Sequence, residues 1–267
     1  MNTPKRRVWW GDYRATEYAL VDPEATIAVL PVAAIEQHGP HLPVSTDTTI
    51  MEGMLETVIS RLPDDLDIRI LPVQAVGKSN EHIEVPGTLT LPPATLTDAW
   101  RELGLSVARA GIKKIVVVNS HGGNEEVMSI VTRELRVREK MLAVKTSWQR
   151  FGRPAGLYTE SEDRYGIHGG DVETSLMLHF RPDLVDMGKA KDFVSNVTRA
   201  EGEFALLRQT GTHSFAWLAA DLNPNGVVGD AASATAEKGR LTAQHQADGF
   251  ITLLRDIRKA ALADWIL

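Results

Sequence analysis

No cysteine occurs among the 267 residues, so the chain offers neither a disulfide nor a thiolate ligand, and any metal must be held by histidine and carboxylate. A basic stripe is missing too. The 29 lysines and arginines stand against 35 acidic residues, a net charge of −6 that argues against nucleic acid as a partner. No apolar run reaches the length of a membrane span, so no membrane association is expected. The opening M-N-T-P-K-R-R lacks the apolar stretch of a secretory signal, which makes the cytoplasm the expected compartment. No Pro/Gly/Ser-rich linker, charge block, low-complexity segment or internal repeat divides the sequence. One domain over residues 1–267 is therefore expected, a size common among α/β domains.

What the sequence does hold is concentrated in residues 26–50, TIAVLPVAAIEQHGPHLPVSTDTTI. An apolar run bounded by turn residues suits a strand covered on both faces. Gly39, Pro40 and Pro43 end it where Glu36, His38, His41 and Asp47 crowd together. The chemistry is thus expected at the C-terminal end of a buried strand, where open α/β sheets carry their sites. Glu36 and His38 are two apart, so in extended backbone both side chains project to one face. Asp47 follows a proline-stiffened loop that can return it toward that pair, and its two oxygens can bridge two ions. Taken singly, such residues read as solvated acids and satisfied histidines. Four together, with two further histidine sites downstream, favour a metal centre.

The rest of the chain alternates between helical and extended patterns. Apolar spacing predicts helices over 48–62, 97–110 and 232–267, the last interrupted near Gly249, and strands over 68–73, 114–119 and 141–148. Another helix carries Val127, Ile130, Val131 and Leu135, another runs from His168-Gly-Gly-Asp to Phe180, and a weak one covers 201–208. The turn Asn119-Ser-His-Gly-Gly-Asn124 lacks both a dinucleotide fingerprint and the lysine of a phosphate loop. His121 there reads better as a further ligand, with the paired glycines allowing close backbone approach. Trp148 either walls a pocket or packs in the core. Glu173 falls in the first turn of its helix, where its charge either complements the helix end or adds a carboxylate to the site. The fold class that follows is α/β, a three-layer α/β/α sandwich with a mainly parallel central sheet.

Several ordered segments also carry a family resemblance. E-Q-H-G-P-H-L-P with the following T-D, G-K-S-N-E-H-I-E-V-P-G-T at 77–88, N-S-H-G-G-N at 119–124, H-G-G-D-V-E-T-S at 168–175 and G-V-V-G-D at 226–230 together resemble the creatininase (creatinine amidohydrolase) family. The resemblance implies hydrolysis of a non-peptide C–N bond, a hexameric homo-oligomer, a 77–88 loop lining the active site, and Glu173 close to the metals. By sequence alone that loop, with Ser79, Glu81 and His82, would equally suit a surface Ω-loop. Trp9 and Trp10, near a polar terminus, are in keeping with a subunit contact. One departure stands out. The resemblance leads one to expect His-Tyr-Glu-Asn with a ligating Glu after the third strand, whereas His121-Gly-Gly-Asn124 has no acid there. Members with the His-Gly-Gly-Asn form resemble formamide-deformylating and related hydrolases.

The expected centre therefore has Glu36, His38, Asp47, His121 and Glu173 as ligands to two divalent ions roughly 3.5–4 Å apart, with Asp47 as the bridge. Zinc is the first expectation, with manganese or iron also compatible with nitrogen and oxygen donors. A water activated by the metals would attack a carbonyl, and His168 would protonate the departing nitrogen. His168 and Glu173 are the candidate catalytic residues. His41, Ser79, His82 and Trp148 are the candidates for binding a small-molecule substrate, a cyclic amide or a formamide. The rival readings are a hydrolase of a C–C or lactone bond in a cyclic polyol-derived substrate, and a metal-binding protein without turnover. The glycine-rich loops and spare polar residues of the site speak against a closed structural metal.

Overall fold

A computed structural model describes residues 6–200 and 203–265. Its centre is a four-stranded parallel sheet of β1 (Thr26–Val32), β2 (Asp67–Ile70), β3 (Lys114–Asn119) and β4 (Leu142–Ser147), in the order β2-β1-β3-β4. Every residue of β1 and β3 is buried, as their continuous Val/Ile/Leu runs require of strands covered on both faces. Side chains alternate between two cores. Ile27, Val29, Val116 and Val118 face one, and Ala28, Leu30, Ile115 and Val117 the other.

Helix α1 (Thr46–Arg61) packs on the first face and α2 (Pro93–Arg109) and α3 (Glu125–Glu139) on the second, while α4 (Asp171–Phe180) and α5 (Ala236–Lys259) return to the first. This is the expected three-layer sandwich. The chain leaves β1 through α1 to pair β2 on one side, then crosses through α2 to pair β3 on the other. Strand direction of travel thus reverses between β1 and β3, and their C-terminal ends open a crevice there. A small antiparallel ribbon, β5 (Asp192–Phe193) with β6 (Gly229–Asp230), lies outside the sheet. No helix among the described residues is long and apolar enough to cross a membrane.

Several sequence expectations shift. α1 begins at Thr46, so Asp47 lies in its first turn instead of in the loop before it. β2 stops at Ile70, ahead of Pro72, which has no N–H for a ladder. α2 starts at Pro93, whose fixed φ suits a first helical position. α5 passes through Gly249 without interruption. A Cβ there would lie 2.8 Å from the Phe151 ring, so this glycine permits close packing and does not break the helix. Residues 203–208 are not helical, and Glu201 and Gly202 lie outside the described residues. Trp9 and Trp10 form no exposed patch: Trp9 packs on one core, and Trp10 meets Tyr18 at 4.5 Å between ring centroids.

Candidate metal centre and active site

The crevice between β1 and β3 collects ionisable side chains from four segments. Glu36 and His38 follow β1, Asp47 opens α1, His121 follows β3, and Glu173 stands in the first turn of α4. Glu36 is completely buried, and His38 and Asp47 are 1% exposed. Burying such groups costs several kcal/mol each unless they are paired. Yet both carboxylate oxygens of Glu36, Nε2 of His38 and Oδ2 of Asp47 have no hydrogen-bond partner.

The imidazoles are oriented by backbone carbonyls. His38 Nδ1 donates to the Glu36 carbonyl at 3.0 Å, which leaves Nε2 bare, 3.5 Å from Asp47 Oδ1 and 3.7 Å from Glu173 Oε2. His121 Nε2 donates to the Lys78 carbonyl at 2.8 Å, which leaves Nδ1 bare, 3.1 Å from Glu36 Oε1 and 3.5 Å from Asp47 Oδ2. A ring nitrogen fixed by a carbonyl with its partner nitrogen aimed at carboxylates is the arrangement that metal-ligating histidines adopt. The two oxygens of Asp47 point to different histidines. Three groups of donors each lie within 4.8 Å of one another: Glu36 with His38 and His168, Glu36 with Glu81 and His121, and His38 with Asp47 and Glu173.

The protonation of the cluster follows from burial and mutual charge. Burial alone would depress His38, but Asp47, Glu173 and Glu36 outweigh it and carry its pKa up to about 9. Burial pushes the Glu173 carboxyl up to about 7 and raises Asp47 as well. Burial, reinforced by His38 and His82, holds His168 well below the ordinary imidazole value. The upward shifts of His38, Asp47 and Glu173 mark a demand for positive charge at this place, which a divalent ion supplies.

The neighbouring residues fix this set. Glu173 Oε2 accepts the Gly169 N–H at 2.6 Å. Asp171 turns away to Lys238 and to Ser175 Oγ at 2.9 Å. His168 Nε2 donates to the Gln37 carbonyl at 2.8 Å, its Nδ1 is 3.6 Å from Glu36 Oε1, and its ring lies between those of His38 and His82. Gln37 Nε2 donates to His82 Nδ1 at 2.8 Å, so the His82 proton is on Nε2, 3.4 Å from Glu36 Oε1. Asn124 joins three loops, donating to the Ala33 carbonyl and to Asn119 Oδ1 and accepting from the Lys78 N–H.

A cavity of 1030 Å³ opens over the cluster, with Glu36, Asp47, His121, His168 and Glu173 in its floor. Trp148 both lines this cavity and packs edge-on to Phe250 at 5.1 Å, so the two roles weighed from sequence coexist. The 77–88 loop is part of the cavity wall through Lys78, Glu81 and His82. Ser79 is buried behind it, its Oγ 3.4 Å from His121 Nε2. His41 does not reach the cavity lining. It binds the Gly169 carbonyl and Thr174 Oγ1 at 3.0 Å each and stacks on Phe193, so it holds the loop whose N–H orients Glu173.

Sequence reading passed over Gln37, Glu81 and Arg153, and the 209–218 segment that lines the far wall. The first two stand inside quoted segments, but long-range pairing alone reveals their roles. The far wall has no periodicity to signal it.

A family model described as creatininase, creatinine amidohydrolase, matches residues 11–254. The chain is 33% identical over 215 residues to the mycofactocin precursor peptide peptidase of Mycolicibacterium smegmatis, covering 80% of this chain and 78% of that protein. It is 32% identical over 204 residues to the creatinine amidohydrolase of Pseudomonas putida, covering 70% of this chain and 77% of that one. Solved creatininases in a manganese form and, as a glutamate-to-glutamine mutant, a Zn-Zn form share its fold. Each gives a TM-score of 0.75 over 96% of this chain and 100% of the other, at 25% and 26% identity respectively.

Proposed function

The chain belongs to the creatininase family, and from that premise we propose that it is a dinuclear metal-dependent amidohydrolase that cleaves a carbon–nitrogen bond of a small amide. The observation that carries the reading is the buried, unpartnered donor set of Glu36, His38 and Asp47. No thiolate is available, and nitrogen with carboxylate oxygen fits zinc, manganese or iron. Glu36 and His121 would hold one ion, His38 and Glu173 the other, and Asp47 both, because its two oxygens face the two histidines separately. Bound there, two divalent ions would polarise a carbonyl and bring the pKa of a water toward roughly 7.

The residues of the chain do the remaining work. His168, kept neutral by burial and tethered through Nε2 to Gln37, presents Nδ1 to the site. It takes the proton of the attacking water and delivers it to the departing nitrogen. Trp148 and His82 flank the substrate, and His82 Nε2 lies 3.4 Å from Glu36 Oε1. His41 positions the Gly169 loop and does not touch substrate.

Formamides and cyclic amides are the first substrate class. A peptide end is the second reading, favoured by a cavity of 1030 Å³, which is at the upper end for small-molecule sites, and by the peptidase among the relatives. Incubating the metal-loaded protein with N-formyl amines, cyclic amides, short peptides and lactones, and following amine release, tests both. Turnover of an amide class supports the proposal. Turnover of lactones alone, or of nothing by a protein holding both ions, contradicts it.

A further inference from the structure

The Glu36–His121 half of the centre contains a further carboxylate, from the 77–88 loop. We propose that Glu81, delivered by the 77–88 loop, is a metal ligand that completes this half. The inference rests on the metal-hydrolase reading above. One oxygen each of Glu36 and Glu81 and one nitrogen of His121 lie within 4.8 Å of one another. Glu81 Oε1 is 3.4 Å from His121 Nε2, while Oε2 leans to Lys78 Nζ at 3.4 Å, so Oε1 is the oxygen that lies against the His121 ring. The His121 Nε2 proton already has a better acceptor in the Lys78 carbonyl at 2.8 Å, so Glu81 is not needed to fix that ring.

Position 123 explains how Glu81 comes to be there. A Cβ built on Gly123 would lie 2.3 Å from Glu81 Oε1, 2.4 Å from the Lys78 carbonyl and 2.5 Å from His121 Nε2. Only glycine leaves that volume open, and the Glu81 carboxylate fills it. The loop that brings it is pinned by Lys78 N–H to Asn124 Oδ1 at 3.0 Å and Ser79 N–H to Thr90 Oγ1 at 2.8 Å. Without Glu81 this half has Glu36, His121 and the shared Asp47. Both oxygens of the completely buried Glu36 lack a hydrogen-bond partner, which independently marks the place as a cation site. The acid absent after His121 is thus replaced from a different loop.

The test is metal content by elemental analysis, with calorimetric titration of manganese or zinc into the metal-stripped protein. The wild type should bind two ions. Glu81→Ala should keep one and bind the other more than about 100-fold more weakly, beyond the loss caused by removing an outer partner of a ligand. Glu81→Gln, of the same shape, should behave alike and covers the case in which the alanine variant does not fold. Two ions at wild-type affinity in Glu81→Gln would overturn the assignment and leave the hydrolase reading standing. A wild type that binds no metal would overturn both.

Discussion

Nδ1 of His121 meets Oε1 of Glu36 at 3.1 Å although the two residues are far apart in sequence. The register of the sheet brings this about: Val32 pairs with Asn119, so the loops leaving β1 and β3 start side by side at the point where strand order reverses. Ser120 Oγ then donates to the Asp47 carbonyl at 2.9 Å and ties the start of α1 to the same place.

Asp47→Asn should lose more metal than any other single change among the ligands. Its two oxygens face His38 and His121 at 3.5 Å each, so one substitution weakens both sites. Elemental analysis of the purified variant should give fewer than about one ion per subunit, given a carboxylate shared by two ions. Retention of two tightly held ions would reject the bridge.

His168→Gln should keep its metal and lose roughly 10²–10⁴-fold in rate. The loss should shrink for substrates whose leaving group needs no proton. Equal losses on activated and unactivated substrates, or loss of metal, would remove His168 from proton transfer.

Glu125 offers a pH test away from the centre. Burial opposes ionisation of its carboxyl, but hydrogen bonds from Ser147, Lys145 and Arg150 outweigh that and hold its pKa below the ordinary value. Lys145 Nζ and Arg150 Nη2 each lie 3.0 Å from Oε2. A depressed folded pKa contributes stability that is fully present above the unfolded value of about 4.3 and is lost as pH falls through the folded value. Glu125→Gln should therefore lower unfolding free energy at pH 7 by about 1–3 kcal/mol, and the two proteins should converge in acid. Urea titrations across pH that leave the gap constant would contradict this.

Much of this was legible in the sequence, for identifiable reasons. β3 and the sandwich could be read because buried parallel strands need unbroken apolar runs and their helices need a 3.6-residue period. The convergence of Glu36, His38 and His121 on one crevice could be read because turn residues cluster them just past strand ends, and Asp47 follows close behind in the first turn of α1. Glu81 could not, since its meaning depends on an empty volume at Gly123, a contact between loops. His41, expected to bind substrate, follows His38 by only two turn residues, yet it packs against Gly169 and Thr174.

Assembly is the fourth expectation. Val44, Ile83, Val85, Leu89 and Leu91 are large apolar side chains left exposed on and around the 77–91 segment, Ile83 at 62%. So many exposed apolar side chains close together in sequence are more than scattered surface leucines explain. Light scattering at micromolar concentration should give a homo-oligomer, with Ile83→Lys shifting it toward smaller species. A monomeric wild type would reject the expectation.

The central claim is that two ions in this crevice are required for C–N bond cleavage. Stripping the protein with a chelator, returning zinc or manganese in measured equivalents and following amine release from a turned-over formamide or cyclic amide tests it directly. Activity should vanish on stripping and climb to its maximum at about two equivalents per subunit, as a dinuclear centre requires. Full activity in the stripped protein, or a maximum reached at one equivalent, would contradict the account.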